Sequence, residues 1–292
     1  MKRSVPLQTE STKPRILVVA GSDSGGGAGI QADIKTITML GGFAMTAVTA
    51  LTAQNTLGVQ DVLPIDPLFV ALQMKSVLTD LGADAIKTGM LGSARVVEAV
   101  ANVCESLAFG VPLIVDPVMV AKGGARLLDQ GAHDALVLRL LPLASLVTPN
   151  VPEAEILTGM TIKTPRDLER AADALLGLGP SAVLMKGGHL EGDTVVDILR
   201  TADGADHRFE GPRIVSRSTH GTGCTLASGI AAGIAEGLTL QGAVQRARDY
   251  VVQAIRLAPG LGKGHGPLEF AHPLRANEAA QVTSTASSKA LH

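Results

Sequence analysis

The feature that most restricts the fold is Arg15-Ile16-Leu17-Val18-Val19-Ala20, a short apolar run that stops at glycine. A loop follows over residues 21–29 (GSDSGGGAG), and after it Ile30, Ile34, Ile37 and Leu40 recur at helical spacing. A run without polar alternation reads as a strand buried on both faces, which needs helices above and below a parallel sheet. Strand, glycine loop and helix make the first half of a βαβ unit. The loop then lies at the carboxyl end of the strand, where open α/β sheets bind ligands, and Asp23, Gln31 and Asp33 are expected near that edge.

The same alternation recurs. Residues 43–53 read as a strand ending at Gln54-Asn55, Pro67 opens a helix to Leu81, 85–88 form a strand running into Gly89-Met90-Leu91, and Ser93 caps a helix to about Leu107. Residues 113–119 are a hydrophobic strand interrupted by Asp116, and 121–125 read as a mobile flap. A helix over 131–140 precedes the run 146–150, and Pro152-Glu153 begins another, so Asn150 and Glu153 share a strand-to-helix junction. Further on come a helix over 165–178, a strand over 182–189 with Lys186 before two glycines, β-like runs over 193–200 and 207–215 around Asp203-Gly204, and a last helix over 241–257. This order predicts a three-layer α/β/α domain on a mainly parallel, doubly wound sheet over residues 14–270. Polar tails, 1–13 and 271–292, flank it, and 276–292 are expected to be disordered.

Composition removes several classes of function. With 292 residues, 46% of them hydrophobic, the chain can bury a substantial core. A formal charge of −2, five Phe, one Tyr and no Trp offer neither a basic stripe nor stacking platforms, so no nucleic acid partner is expected. Cys104 and Cys224 are too few for a disulfide framework and no C-x-x-C occurs, which fits a reducing cytoplasm. Residues 1–14 lack an apolar signal core and no apolar run is long enough to span a bilayer, so a soluble protein without a membrane partner is expected.

The chemistry is expected at Ser218-Thr219-His220-Gly221-Thr222-Gly223-Cys224-Thr225, which runs into a helical stripe of Leu226, Ile230, Ala231, Ile234 and Leu238. Gly221 and Gly223 permit a tight turn, and Thr222, Gly223, Cys224 and Thr225 present amides that no earlier turn satisfies. Such an end suits a phosphate, although the same residues also make an ordinary capped helix. Asp116, Glu153, Lys186 and Lys263 each have a bland reading as a cap, a dipole complement or a solvated charge. Together they favour phosphoryl transfer, which depends on neutralising charge around the migrating group. Neither G-x-x-x-x-G-K-[ST] nor G-x-G-x-x-G occurs, so another nucleotide-binding design is implied.

Six motifs carry a resemblance: GSDSGGGAGIQAD (21–33), LTAQN (51–55), VDPVMVA (115–121), TPNVPE (148–153), MKGGH (185–189) and HGTGCT (220–225). In this order they resemble the bacterial hydroxymethylpyrimidine/phosphomethylpyrimidine kinases of thiamine biosynthesis, in the ribokinase-like superfamily, from about Ile16 to Pro267. The resemblance implies a ribokinase-like fold and ATP- and Mg²⁺-dependent transfer to the hydroxymethyl oxygen of 4-amino-5-hydroxymethyl-2-methylpyrimidine, then to the monophosphate. It implies that Gln54 reads the pyrimidine edge, Asp33 meets the hydroxymethyl end, and Gly21 and Met90 line the ring. Asp116 and Glu153 would associate with Mg²⁺, and Asn150, Lys186 and Thr222 would serve the nucleotide. Gly221, Thr222, Gly223 and Cys224 would form the anion hole. Cys224 stands where many sugar kinases of the superfamily carry an aspartate as general base, and a thiolate stabilised by the helix N-terminus is the expectation. A homodimer is expected. The alternatives are a pyridoxal kinase, whose ring-binding positions overlap, and a non-catalytic phosphate-ligand-binding regulator, against which the intact set Asp116, Glu153, Lys186 and Cys224 argues.

Overall fold

In β1 (Arg15–Asp23), Ile16, Val18 and Ala20 enter one buried cluster while Leu17 and Val19 enter another. Successive side chains of a strand point to opposite faces, so this one strand supplies both halves of the core. The structure is a computed structural model that describes residues 13–119 and 130–274. β1 pairs in parallel with β2 (Phe43–Asn55) and β4 (Ala85–Thr88), and β5 (Leu113–Val115), β6 (Leu146–Val147) and β7 (Ala182–Lys186) continue the parallel run. β3 (Gly58–Pro64) pairs antiparallel with β2 at one edge, while β8 (Thr194–Thr201) and β9 (Asp206–Pro212) extend the other edge antiparallel. The order β3-β2-β1-β4-β5-β6-β7-β8-β9 grows outward from β1 in both directions. The winding therefore switches between β1 and β4, and the ligand crevice of such a sheet lies outside the carboxyl ends of these strands.

Helices cover both faces as predicted. α2 (Pro67–Asp80), α3 (Ala94–Leu107), α4 (Gln130–Ala135), α5 (Val151–Thr158) and α6 (Pro165–Leu176) pack on the side of Leu17 and Val19. α1 (Gly29–Met39), α7 (Thr222–Ala235) and α8 (Leu240–Arg256) take the side of Ile16 and Val18. α7 is small-sided because it lies close to α8: a Cβ added at Gly229 or Gly233 would come within 2.9 and 2.8 Å of Ala247 Cβ and Ala243 Cβ. That tight crossing holds the start of α7 at the crevice.

Two local expectations change. β3 is an additional strand, and its last five residues are exposed, so it lacks the apolar alternation that marks a half-buried strand. The helix expected over 131–140 leaves α geometry after Ala135, passing through a π turn at Leu136–Leu140 and a 3₁₀ turn at Leu141–Leu143. Pro142, which has no N–H to continue the ladder, sits in the second turn. The flap expected at 121–125 and the tail segments 1–12 and 275–292 lie outside the described residues. No helix among the described residues is long and apolar enough to cross a membrane.

Candidate active site

Two cavities meet at the carboxyl edge of the sheet. The first, of 370 Å³, is lined by residues that include Gly21, Asp23, Gln54, Met90, Asp116, Glu153, His220 and Cys224. The second, of 430 Å³, extends to Arg248, Val251, Val252 and Ile255. Both are walled by Asn150, Lys186, His189, Thr219, Thr222 and Gly223, so the start of α7 stands between them.

That start depends on one glycine. Gly221 has φ +83°, a region L side chains rarely adopt, and a Cβ there would lie 1.9 Å from the Gly27 carbonyl oxygen. The loop after β1 therefore packs directly on the first turn of α7. The Thr225 N–H donates to the Gly221 carbonyl at 2.9 Å. This corrects the expected donor set: Thr222, Gly223 and Cys224 are the amides that precede the first intrahelical bond.

Lys186, at the end of β7, donates to Asp116 Oδ1 at 2.9 Å and stands 4.0 Å from Glu153 Oε2. Burial would lower its pKa, but Asp116 and Glu153 outweigh burial and keep it raised and cationic. Burial would likewise raise Asp116, yet Lys186, Lys87 and the Thr148 hydroxyl at 3.0 Å hold it below the ordinary carboxylate range. Glu153 is placed by a capping box, in which the Asn150 N–H donates to Glu153 Oε2 at 2.8 Å and the Glu153 N–H donates to Asn150 Oδ1 at 3.0 Å. Burial, helped by the Asp116 charge and opposed by Lys186, pushes Glu153 up to about 7. Among the described residues no group of three or more His, Cys, Asp or Glu forms a metal cage. Two buried carboxylates flanking one lysine nonetheless fit Mg²⁺, which takes one or two protein carboxylates and completes its octahedron with phosphate and water oxygens.

At the other end of the first cavity, the Gln54 side-chain amide lies between the Thr52 hydroxyl, 3.2 Å from one end of it, and His220 Nε2, 3.1 Å from the other. His220 Nε2 is also 2.9 Å from Asp23 Oδ2. Met90 lies over Gly21, where a Cβ would come within 2.4 Å of the methionine methyl. His220 drew no role from the sequence although it stands in the HGTGCT motif, because nothing local pairs it with Asp23.

Three further expectations are corrected. Asp33 does not reach the cavity: it is fully buried in α1, where it accepts from Lys87 Nζ at 2.9 and 3.1 Å and from the Ser228 hydroxyl at 2.6 Å. Gln31 stands near this edge as expected, accepting from the Asp23 N–H and donating to the Ser22 hydroxyl. Lys263 is exposed and lines neither cavity, while its backbone N–H and that of Gly264 donate to the Thr56 hydroxyl at 3.2 Å. Cys224 does line the first cavity, but burial, with the charges of Asp33 and Asp116, pushes its thiol up to about 12. Lys87 and the Gly29 N–H act the other way and do not compensate, so the expected thiolate is a thiol.

A junction of two cavities at a helix N-terminus, with a lysine and two buried carboxylates beside it, can pass a phosphoryl group from one ligand to the other. This is the design of a small-molecule kinase, and without a P-loop its fold is ribokinase-like. Residues 23–269 match the phosphomethylpyrimidine kinase family, and the chain belongs to that family. The hydroxymethylpyrimidine/phosphomethylpyrimidine kinase of Streptomyces coelicolor is 48% identical over 258 residues, 88% of this chain and 94% of that protein. The thiamine biosynthesis bifunctional protein ThiED of Geobacter sulfurreducens is 54% identical over 254 residues, 87% of this chain, and the chain spans about half (51%) of its length. Among solved structures, the phosphomethylpyrimidine kinase of Clostridium difficile is similar with a TM-score of 0.74 at 39% identity, covering 83% of this chain and all (100%) of that one. An ADP complex of Bacillus subtilis pyridoxal kinase is similar with a TM-score of 0.82 at 33% identity, covering 91% and 100%.

Proposed function

We propose that the chain transfers the γ-phosphoryl group of ATP to the hydroxymethyl oxygen of 4-amino-5-hydroxymethyl-2-methylpyrimidine and then to the resulting monophosphate, in thiamine biosynthesis. One observation carries this reading: the two cavities share a wall at Lys186, Thr222 and Gly223, so an alcohol in the first and a nucleotide in the second face one another across the start of α7. The second cavity, with Val251, Val252 and Ile255, takes the nucleotide base, and Asn150 and Thr222 stand toward its phosphates.

Lys186 and the amides of Thr222, Gly223 and Cys224 neutralise the charge that spreads over the migrating phosphoryl oxygens. Asp116 and Glu153 would hold Mg²⁺, which when bound supplies Lewis-acid neutralisation of phosphate charge. Gln54 offers a donor and an acceptor to the aminopyrimidine edge, and Gly21 with Met90 forms the ring's wall. A protonated Cys224 is not given the general-base role; it lines the floor beside the acceptor. A loose phosphoryl-transfer transition state relies on positioning and charge far more than on early proton removal. In the second transfer the acceptor is a phosphate monoester with a second pKa near ~6, which is mostly dianionic at neutral pH. We further place the enzyme in the cytoplasm, consistent with two free cysteines, and as a homodimer joined through apolar side chains of β2, β3 and α2.

The test is an assay with ATP and Mg²⁺ that supplies the pyrimidine alcohol, its monophosphate or pyridoxal separately and resolves mono- from diphosphate product. Turnover of both pyrimidines well above pyridoxal is the expected result. Preference for pyridoxal would replace this reading with a pyridoxal kinase, and absence of all turnover would support a binding protein.

A further inference from the structure

Asp23 and His220 line the first cavity beside Gln54. Asp23 is 2% exposed and accepts three backbone bonds, from Gly25 N–H at 2.8 Å, Gly27 N–H at 3.0 Å and Ala28 N–H at 2.8 Å. An acid so surrounded by donors is an ionised carboxylate with acceptor capacity only. His220 Nε2, 2.9 Å from its Oδ2, therefore carries a hydrogen and donates it. The imidazole is held firmly for this: a Cβ at Gly27 would lie 2.6 Å from His220 Cδ2 and 3.2 Å from Pro267 Cβ.

The same Nε2 faces the Gln54 amide at 3.1 Å. Two donors cannot bond each other, so the single Nε2 hydrogen serves Asp23 Oδ2 and the Gln54 amide together only as a three-centre bond with an acceptor facing it on each side. The network is satisfied when the amide presents Oε1 to His220 and its NH₂ to Thr52 Oγ1, 3.2 Å from the other end of the amide, because the Thr52 hydroxyl hydrogen goes to the Ser22 carbonyl at 3.0 Å. One amide N–H and one carbonyl lone pair then remain for the cavity. We infer that Asp23 and His220 are positioning residues that lock the Gln54 amide in one of its two orientations, and so fix the order in which a donor and an acceptor meet the substrate ring.

The inference rests on Gln54 as the ring-reading residue. A 4-aminopyrimidine edge has an amine donor beside a ring-nitrogen acceptor, whereas the 4-oxo analogue has an oxygen acceptor beside a ring N–H donor. A locked amide matches the first pattern and opposes the second; a free amide turns to suit either. Discrimination between the two alcohols is the readout, with the KM for ATP as the internal reference.

The experiment compares kcat/KM for the 4-amino and 4-oxo alcohols in the wild type, His220→Leu, His220→Gln, Gln54→Leu and the Gln54→Leu/His220→Leu double variant. His220→Leu is expected to reduce amino-over-oxo discrimination by roughly 10- to 100-fold with the KM for ATP little changed, as befits mispaired buried polar edges. His220→Gln, whose amide N–H can stand in for Nε2–H, is expected to restore most of it. In the Gln54→Leu background, His220→Leu is expected to add nothing. Unchanged discrimination in His220→Leu beside its loss in Gln54→Leu overturns the positioning role and leaves the Gln54 reading intact, as do additive losses in the double variant. A Gln54→Leu enzyme that still discriminates overturns the Gln54 reading itself. Imidazole ¹⁵N shifts in the wild type give a check that no variant's folding can confound: an unprotonated His220 Nε2 also overturns the inference.

Discussion

Glu153 serves two partners, closing the capping box of α5 and facing Asp116 across Lys186. Folding moves its pKa from the ordinary 4.5 to about 7, so the folded chain binds a proton there that the unfolded chain has released. Its contribution to stability is full below about pH 4.5 and is lost as pH rises through about 7. Gln keeps an acceptor for the Asn150 N–H and carries no charge. Without Mg²⁺, the Tm of Glu153→Gln is therefore expected to gain on the wild type between pH 5 and pH 8, and added Mg²⁺ should raise the wild-type Tm at pH 8 more than that of the variant. A Tm difference that stays constant across this range would contradict the shift and its cause. The gathering of Asp116, Glu153, Lys186 and the glycines of HGTGCT at one cavity was legible in the sequence because strand ends and helix starts set their places. The ionisation of Cys224 was not. A helix N-terminus is a local feature that favours thiolate, but burial beside Asp33 and Asp116 comes from three different elements and overrides it.

One buried cluster ties three elements together beneath the site. Asp33 of α1 takes Lys87 of β4 and Ser228 of α7, and both members of the ion pair are fully buried. Both charges were removed from water in forming it, so the pair adds little net stability, but either charge left alone is costly. Lys87→Met is expected to lower unfolding stability by about 3–5 kcal/mol, the usual scale for breaking a buried pair. Adding Asp33→Asn, which keeps an acceptor for Ser228, should return most of that loss in urea unfolding. A double variant no more stable than Lys87→Met would refute the account. Nothing in Ala85-Ile86-Lys87-Thr88 announces this partner, since a lone lysine in a short strand reads as facing solvent. Helix starts were far more legible, because Ser93 caps its helix through a side-chain bond set by local spacing, and Pro152 and Pro165 stand in the first turns of α5 and α6. β3 escaped notice for the converse reason: its position depends on the register Leu51↔Leu63 and Thr52↔Val62 with β2 and not on its own pattern.

The alternation of strands and helices was enough to foresee a doubly wound three-layer molecule, because crossovers between parallel strands keep one hand. It did not foresee the edge occupied by β3, and that edge bears on assembly. Exposed apolar side chains collect there: the paired Leu51 on β2 and Leu63 on β3, and Leu68, Phe69 and Leu72 on the first turns of α2. Leu68 is 76% exposed and Leu63 is 62% exposed. Scattered apolar residues need no partner, as with Phe109 and Val215 elsewhere, but neighbouring elements contributing several together mark an association surface. Among the described residues β3 also offers an outer edge without a strand beside it, a hazard in water unless covered. In the proposed homodimer this surface is covered by its copy, since closed two-fold assembly uses the same patch on both subunits. Sedimentation at micromolar concentration is expected to give twice the 29.9 kDa of the chain, and Leu63→Glu with Phe69→Glu is expected to give the single-chain mass while retaining the far-UV spectrum of the fold. A wild type that sediments as one chain across that range, or a double variant that still sediments as two, would remove this face from the interface.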